Sequence, residues 1–119
     1  MGKVSAMKYA ILILDTEAAR PLSKSEAEAH YQDIIAWYEK RGAEGSLADG
    51  GAELQDASTA MTVRASGVTD GPYIEAKEVV GGFSILEAAT MEEAVEIART
   101  WPGVDRGLVT IEVRPVVQH

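Results

Sequence analysis

Residues 81–100 read GGFSILEAATMEEAVEIART and pass from a strand into a capped helix. Gly81 to Ala88 reads as the strand, and its paired glycines mark a bulge or a close backbone approach. Thr90 stands three residues before Glu93, the spacing of a capping box. Met91 to Thr100 then reads as a helix with Ala94, Ile97 and Ala98 on one side. Trp101-Pro102-Gly103 ends it, because a residue before proline is driven out of the helical region. Downstream, Leu108 to Val117 alternates: Val109, Ile111 and Val113 point one way, Leu108, Thr110, Glu112 and Arg114 the other. That is the period of a half-solvated strand.

The first half of the chain reads as a similar unit. Met7 to Leu14 (MKYAILIL) is a continuous apolar run, the pattern of a buried central strand. Pro21 breaks the chain. Ser23 and Glu26 have capping-box spacing, the stretch to Arg41 fits a helix, and Gly42 is expected to stop it. Tyr31, Ile34, Ile35 and Tyr38 form its apolar stripe. Gly42 to Gly51 reads as loop with a short strand at Ser46–Ala48. Met61 to Ala65 reads as a strand, Ser66-Gly67 as a turn, and Asp70-Gly71-Pro72 as the strongest turn in the chain. Glu75 to Glu78 reads as a short turn or a strand entry.

The order β-α-(β)-β-β-α-β, with two central strands expected as a hairpin, is a split βαβ arrangement. It predicts an α+β, ferredoxin-like fold: an antiparallel sheet with two helices on one face. The other face would be bare and apolar, so a homodimer joined through it is expected. Met1 to Ala6 reads as a loose extension and residues 7–119 as a single domain.

Composition narrows the chemistry. The 119 residues contain no cysteine and two histidines, and carry a formal charge of −8. No disulfide framework, thiolate metal site or cysteine nucleophile can be built. The charge argues against direct contact with nucleic acid. No stretch has the roughly 20 apolar residues of a membrane span, and no signal peptide is visible, so a cytoplasmic protein is expected. Dinucleotide, P-loop, zinc-protease and hydrolase-elbow motifs are absent. Neither cofactor nor metal is expected.

Two places stand out as sites. His30 lies at the edge of the apolar stripe and could serve as a base in a cleft, or simply pack at a boundary. The segment Asp70-Gly71-Pro72-Tyr73-Ile74-Glu75-Ala76-Lys77-Glu78 gathers carboxylates and an ammonium around one turn. Carboxylates so placed can work as acid and base, or the turn can be architectural. Arg64 and Arg114 could each pair with an acidic neighbour or hold an anionic ligand, with pairing the favoured reading; Trp37 and Tyr38 are expected to sit in the core or a subunit contact. His119 is terminal.

The same segment, followed by Gly81-Gly82-Phe83, resembles the YCII-related family and within it the subgroup marked by Asp-Gly-Pro-Phe. Tyr73 replaces the Phe, which keeps the aromatic ring and adds a hydroxyl. Met7-Lys8-Tyr9, Gly42, Glu92-Glu93-Ala94 and Glu112-Val113-Arg114-Pro115-Val116 extend the resemblance from Met7 to Val117. It implies a dimeric α+β barrel with a cleft near the dimer interface. Some relatives are small lyases or dehydrochlorinases acting on aromatic compounds, with a helix His paired to an Asp. Subgroup members tend to be encoded beside, or fused to, alternative sigma factors. On this footing His30 and Asp70 are the expected catalytic pair, with Asp49 and Asp56 competing for the Asp role. Gly71, Pro72, Tyr73, Glu75 and Lys77 are the expected substrate contacts. The expected function is a cofactor-independent lyase or hydrolase; a non-catalytic small-molecule-binding or regulatory module in a sigma-factor system is the alternative.

Overall fold

A computed structural model describes residues 6–16, 22–71 and 78–119. The chain forms β1 (Met7–Asp15), α1 (Lys24–Ala43), β2 (Leu47–Glu53), a 3-10 turn (Ala57–Thr59), β3 (Met61–Arg64), β4 (Gly67–Asp70), β5 (Val79–Ala88), α2 (Met91–Arg99) and β6 (Val109–Pro115). Four strands make one sheet in the order β2-β5-β1-β6, with every neighbour antiparallel. Each outer strand thus lies on the far side of a central one, as the split βαβ pattern requires.

The apolar run takes the interior position expected of it. Tyr9, Ile11 and Ile13 are buried under the helices, with Leu86 and Ala88 beside them on β5. Ser23 and Glu26 form the complete capping box: the Glu26 N–H donates to Ser23 Oγ at 3.1 Å and the Ser23 N–H to Glu26 Oε1 at 2.9 Å. These bonds hold the Glu26 carboxyl below its ordinary pKa. Thr90 makes half of the second box, accepting from the Glu93 N–H at 3.1 Å.

Four sequence expectations are corrected. First, Gly42 does not end α1, which runs to Ala43. The left-handed residue that turns the chain is Gly45, at φ 78°. Second, the strand after α1 spans seven residues rather than three, because a bulge at Asp49-Gly50 lets pairing with β5 continue to Glu53. Third, Met61–Arg64 does not join the main sheet. It pairs with Gly67–Asp70 in a separate ribbon, closed at Ala65-Ser66. The adjacent strands β2 and β5 are therefore joined by residues 54–78 and not by a hairpin. Fourth, the inward face of α1 is rotated from the expected stripe. Tyr31 is 48% exposed, whereas Trp37 is buried and Ile34 and Tyr38 pack beside it.

The two helices meet the sheet differently. α2 presents Ala94 and Ala98, both buried, and their small side chains let it approach β5, β1 and β6 closely. α1 makes few close backbone approaches to any strand. It is pinned instead to the end of α2. Trp37 Nε1–H donates to Thr100 Oγ1 at 2.8 Å, and Arg41 donates to the same oxygen at 3.0 Å. Trp37, Tyr38 and Trp101 pack edge to face, with ring centroids 4.9–5.2 Å apart. This aromatic block holds α1 off the sheet and leaves a space beneath it.

On the opposite face, Leu12 pairs with Phe83, Leu14 with Val80 and Ala10 with Ile85. Val80 is 40% and Phe83 37% exposed. No described helix covers this face. Among the described residues no helix is long and apolar enough to cross a membrane.

Candidate functional site

The space under α1 is a cavity of about 450 Å³. Ile13, Ile34, Tyr38, Trp101 and Val109 supply its apolar walls, and its titratable lining includes Asp15, His30 and Glu53. A second cavity of about 360 Å³ adjoins it, with Asp15 and His30 common to both walls.

Two glycines set the dyad in place. β1 and β5 change register between Ile13 and Leu14, and Gly81 is the extra residue of that bulge. A Cβ on Gly81 would collide with the Asp15 carboxylate, so only glycine lets that carboxylate lie against the strand. Gly103 is left-handed, at φ 93°, and a Cβ there would stand 2.8 Å from His30 Cε1. Thr16 ties the two frames together: its hydroxyl donates to the Gly107 carbonyl at 2.6 Å and its N–H to the Leu108 carbonyl at 3.3 Å. The end of β1, which carries Asp15, is thereby fixed to the loop that supports His30.

The electrostatics drive both groups toward neutrality. Burial, assisted by the nearby Arg106 guanidinium, lowers the His30 pKa against the smaller pull of Asp33 and Asp15. Burial raises the Asp15 pKa; His30 opposes the shift and Glu53 adds to it. His30 Nδ1 is buried and finds no hydrogen-bond partner among the described residues. The two side chains feel each other's charge without a direct hydrogen bond, an arrangement that admits a ligand hydroxyl between them.

At the far end of the cavity stands a different polar group. Ser84 is a buried polar residue of the central strand β5, and its Oγ lies 2.5 Å from the Tyr38 hydroxyl. Burial raises the Tyr38 pKa, with the Ser84 bond opposing it.

The structure separates the residues expected to act together. Asp70 ends β4 on the ribbon, is exposed, and lines neither cavity that His30 lines. Gly71 closes the ribbon: its N–H donates to the Ala60 carbonyl at 2.7 Å, and its carbonyl accepts from the Thr62 hydroxyl at 2.7 Å. Pro72, Tyr73, Glu75 and Lys77 lie outside the described residues. Asp49 is exposed. Asp56 lines the second cavity, but its carboxylate accepts from the Ser58 N–H at 3.0 Å and caps the 3-10 turn. The Asp that lines both cavities with His30 is Asp15. Nothing in the sequence marks Asp15 beyond its being an acidic residue directly after an apolar central strand. The hydroxyl pair was missed because Ser84 and Tyr38 are 46 residues apart. Arg114 pairs with Glu112, as expected.

The YCII-related domain matches residues 7–118. An uncharacterised protein of Rhizobium meliloti (strain 1021) is 33% identical over 118 residues, covering 95% of this chain and 94% of its own length. Among solved structures, 5-chloro-2-hydroxyhydroquinone dehydrochlorinase of Burkholderia phenoliruptrix, in complex with 2,5-dihydroxybenzoquinone, superimposes with a TM-score of 0.58. It covers 95% of both chains at 24% identity, a likeness of fold.

Proposed function

The chain belongs to the YCII-related family, and we propose that it is a cofactor-independent enzyme of the lyase type that performs acid–base chemistry on a small molecule under α1. The observation that carries this is the meeting of His30 and Asp15, from α1 and β1, in one cavity with their pKa values pushed in opposite directions. A neutral imidazole at pH 7 can take a proton from a ligand hydroxyl or an acidic C–H. Asp15 then stabilises the imidazolium, and the held proton is available to the departing group. The fold shared with a dehydrochlorinase supports a lyase over a hydrolase. The Asp-Gly-Pro-Phe subgroup and its sigma-factor setting belong to the same proposal, resting on residues 70–78. We place the homodimer contact on the open sheet face around Phe83; Phe83→Arg is expected to give monomers in sedimentation analysis, and a wild-type monomer would refute the contact.

The test uses 2-hydroxyhydroquinone, which is uncharged at pH 7, and 5-chloro-2-hydroxyhydroquinone. The first is expected to raise the melting temperature of the wild type but not of His30→Ala or Asp15→Asn. The second is expected to release chloride at a rate that falls about 10²-fold or more in either variant. Wild-type protein that neither binds nor turns over these compounds, or variants that match it, would overturn the assignment.

A further inference from the structure

The cavity has a polar group at each end. His30 and Tyr38 are eight residues apart on α1, roughly 12 Å along its axis. On the opposite wall, Gly81, which seats Asp15, and Ser84 are three residues apart on β5, roughly 10 Å. Ile13, which pairs with Gly82, and Ile34, four residues from both His30 and Tyr38, line the stretch between the two ends. One six-membered ring with an oxygen at each end, hydrogen-bonded at both, spans that length.

The far end donates. Tyr38 and Ser84 bring two hydroxyl hydrogens, and their mutual bond consumes one whichever of them gives it. Among the described residues, no other hydrogen bond takes the second. Trp101 adds its ring to the same wall. A buried donor left unpaired is costly, so an acceptor oxygen supplied here is favoured. The His30 end accepts, because burial keeps the imidazole neutral. The charge of the lining excludes a third feature. Asp15 and Glu53 both face the cavity, and no described lysine or arginine lines it, so a ligand carboxylate would meet repulsion without a counter-ion.

We propose that Tyr38 and Ser84 form a second anchoring point, and that the cavity selects an uncharged single-ring compound carrying a hydroxyl at the His30 end and a carbonyl or hydroxyl oxygen at the Tyr38–Ser84 end. The assignment rests on the acid–base function proposed above and adds the ligand's far oxygen and its neutrality.

Three probes of matched size test it by titration calorimetry at pH 7: 4-hydroxyacetophenone, 4-ethylphenol, which lacks the far oxygen, and 4-hydroxybenzoate, which is charged there. The wild type is expected to bind the ketone about tenfold tighter than 4-ethylphenol, the effect of one hydrogen bond, and to bind the benzoate weakest. In Tyr38→Phe/Ser84→Ala the preference for the ketone is expected to fall to about threefold or less, with 4-ethylphenol affinity kept within about twofold. Tyr38→Phe alone keeps the ring and is read against the same ratio should the double variant not fold. An unchanged ratio, the absence of a wild-type preference, or tightest binding of the benzoate would each overturn the proposal. His30→Ala is expected to weaken both phenols alike and leave their ratio intact. If His30→Ala binds both as the wild type does while the ratio collapses in the double variant, the acid–base function fails and the second anchor stands.

Discussion

α1 and α2 cover the same face of the same sheet, yet only α2 is seated on it. The nine residues of α2 meet the strands through Ala94 and Ala98. The twenty residues of α1 rest on an aromatic block at one end and leave a cavity toward the other. The difference shows how one layer can be closed against a sheet at one helix and left open at the next. Small side chains close a helix against a sheet, whereas large rings that stack on one another hold the next helix away. The dyad occupies the space so created.

The largest effect is expected where the two helices join. Trp101→Ala removes the ring on which Trp37 and Tyr38 lean and should cost about 3–5 kcal/mol in denaturant unfolding. Loss of ligand stabilisation should accompany it, because the same ring lines the cavity. Next comes a direct contrast between the helices. Ala94→Leu must force α2 off the sheet and should cost about 1–3 kcal/mol, whereas Ile34→Phe enlarges a side chain that faces open space and should cost less than about 1.5 kcal/mol. Ile34→Phe should nevertheless abolish ligand binding; equal costs for the two changes would erase the distinction drawn between the helices. Smaller again is Thr100→Val, which deprives Trp37 Nε1 and Arg41 of their shared acceptor and should cost about 1 kcal/mol.

The smallest effect is electrostatic. His30 has a lowered folded pKa, so its contribution to stability is complete above the ordinary value of about 6.5 and is lost as pH falls through the lower folded value. Asp15 has a raised folded pKa and the opposite sign: its contribution is present below about 3.9 and is lost as pH rises through the folded value. Proton NMR of the His30 ring should find its midpoint below that of an exposed histidine. Asp15→Asn should move it further down, since the carboxylate pulls it up, and Arg106→Gln should move it up. Shifts of the reverse sign would mean that the two side chains do not share a field.

Local signals were legible in the sequence and distant ones were not. The Ser23–Glu26 box, the apolar β1 and the glycine bulge at 81–82 are each encoded within a few residues, and each stands where the pattern puts it. The ribbon at Met61–Asp70 was misplaced because strand alternation says nothing about which sheet a strand joins. His30 was legible as a polar residue beside an apolar stripe. The Asp beside it was not: Asp15, Asp49, Asp56 and Asp70 are chemically alike, and only chain packing puts Asp15 in both cavities with it.

The sequence by itself determined the α+β order, the start of the first helix, and the restriction of titratable chemistry to carboxylates and a scarce histidine. Tertiary structure decided that Asp15 shares a cavity with His30 and that Tyr38 meets Ser84. It also decided that a cavity exists at all. The physical reason is range. Capping and alternation are settled by hydrogen bonds and burial within a turn or a strand, whereas the cavity is the gap left between α1, held off by three rings from α1 and the turn after α2, and a sheet whose strands come from both ends of the chain.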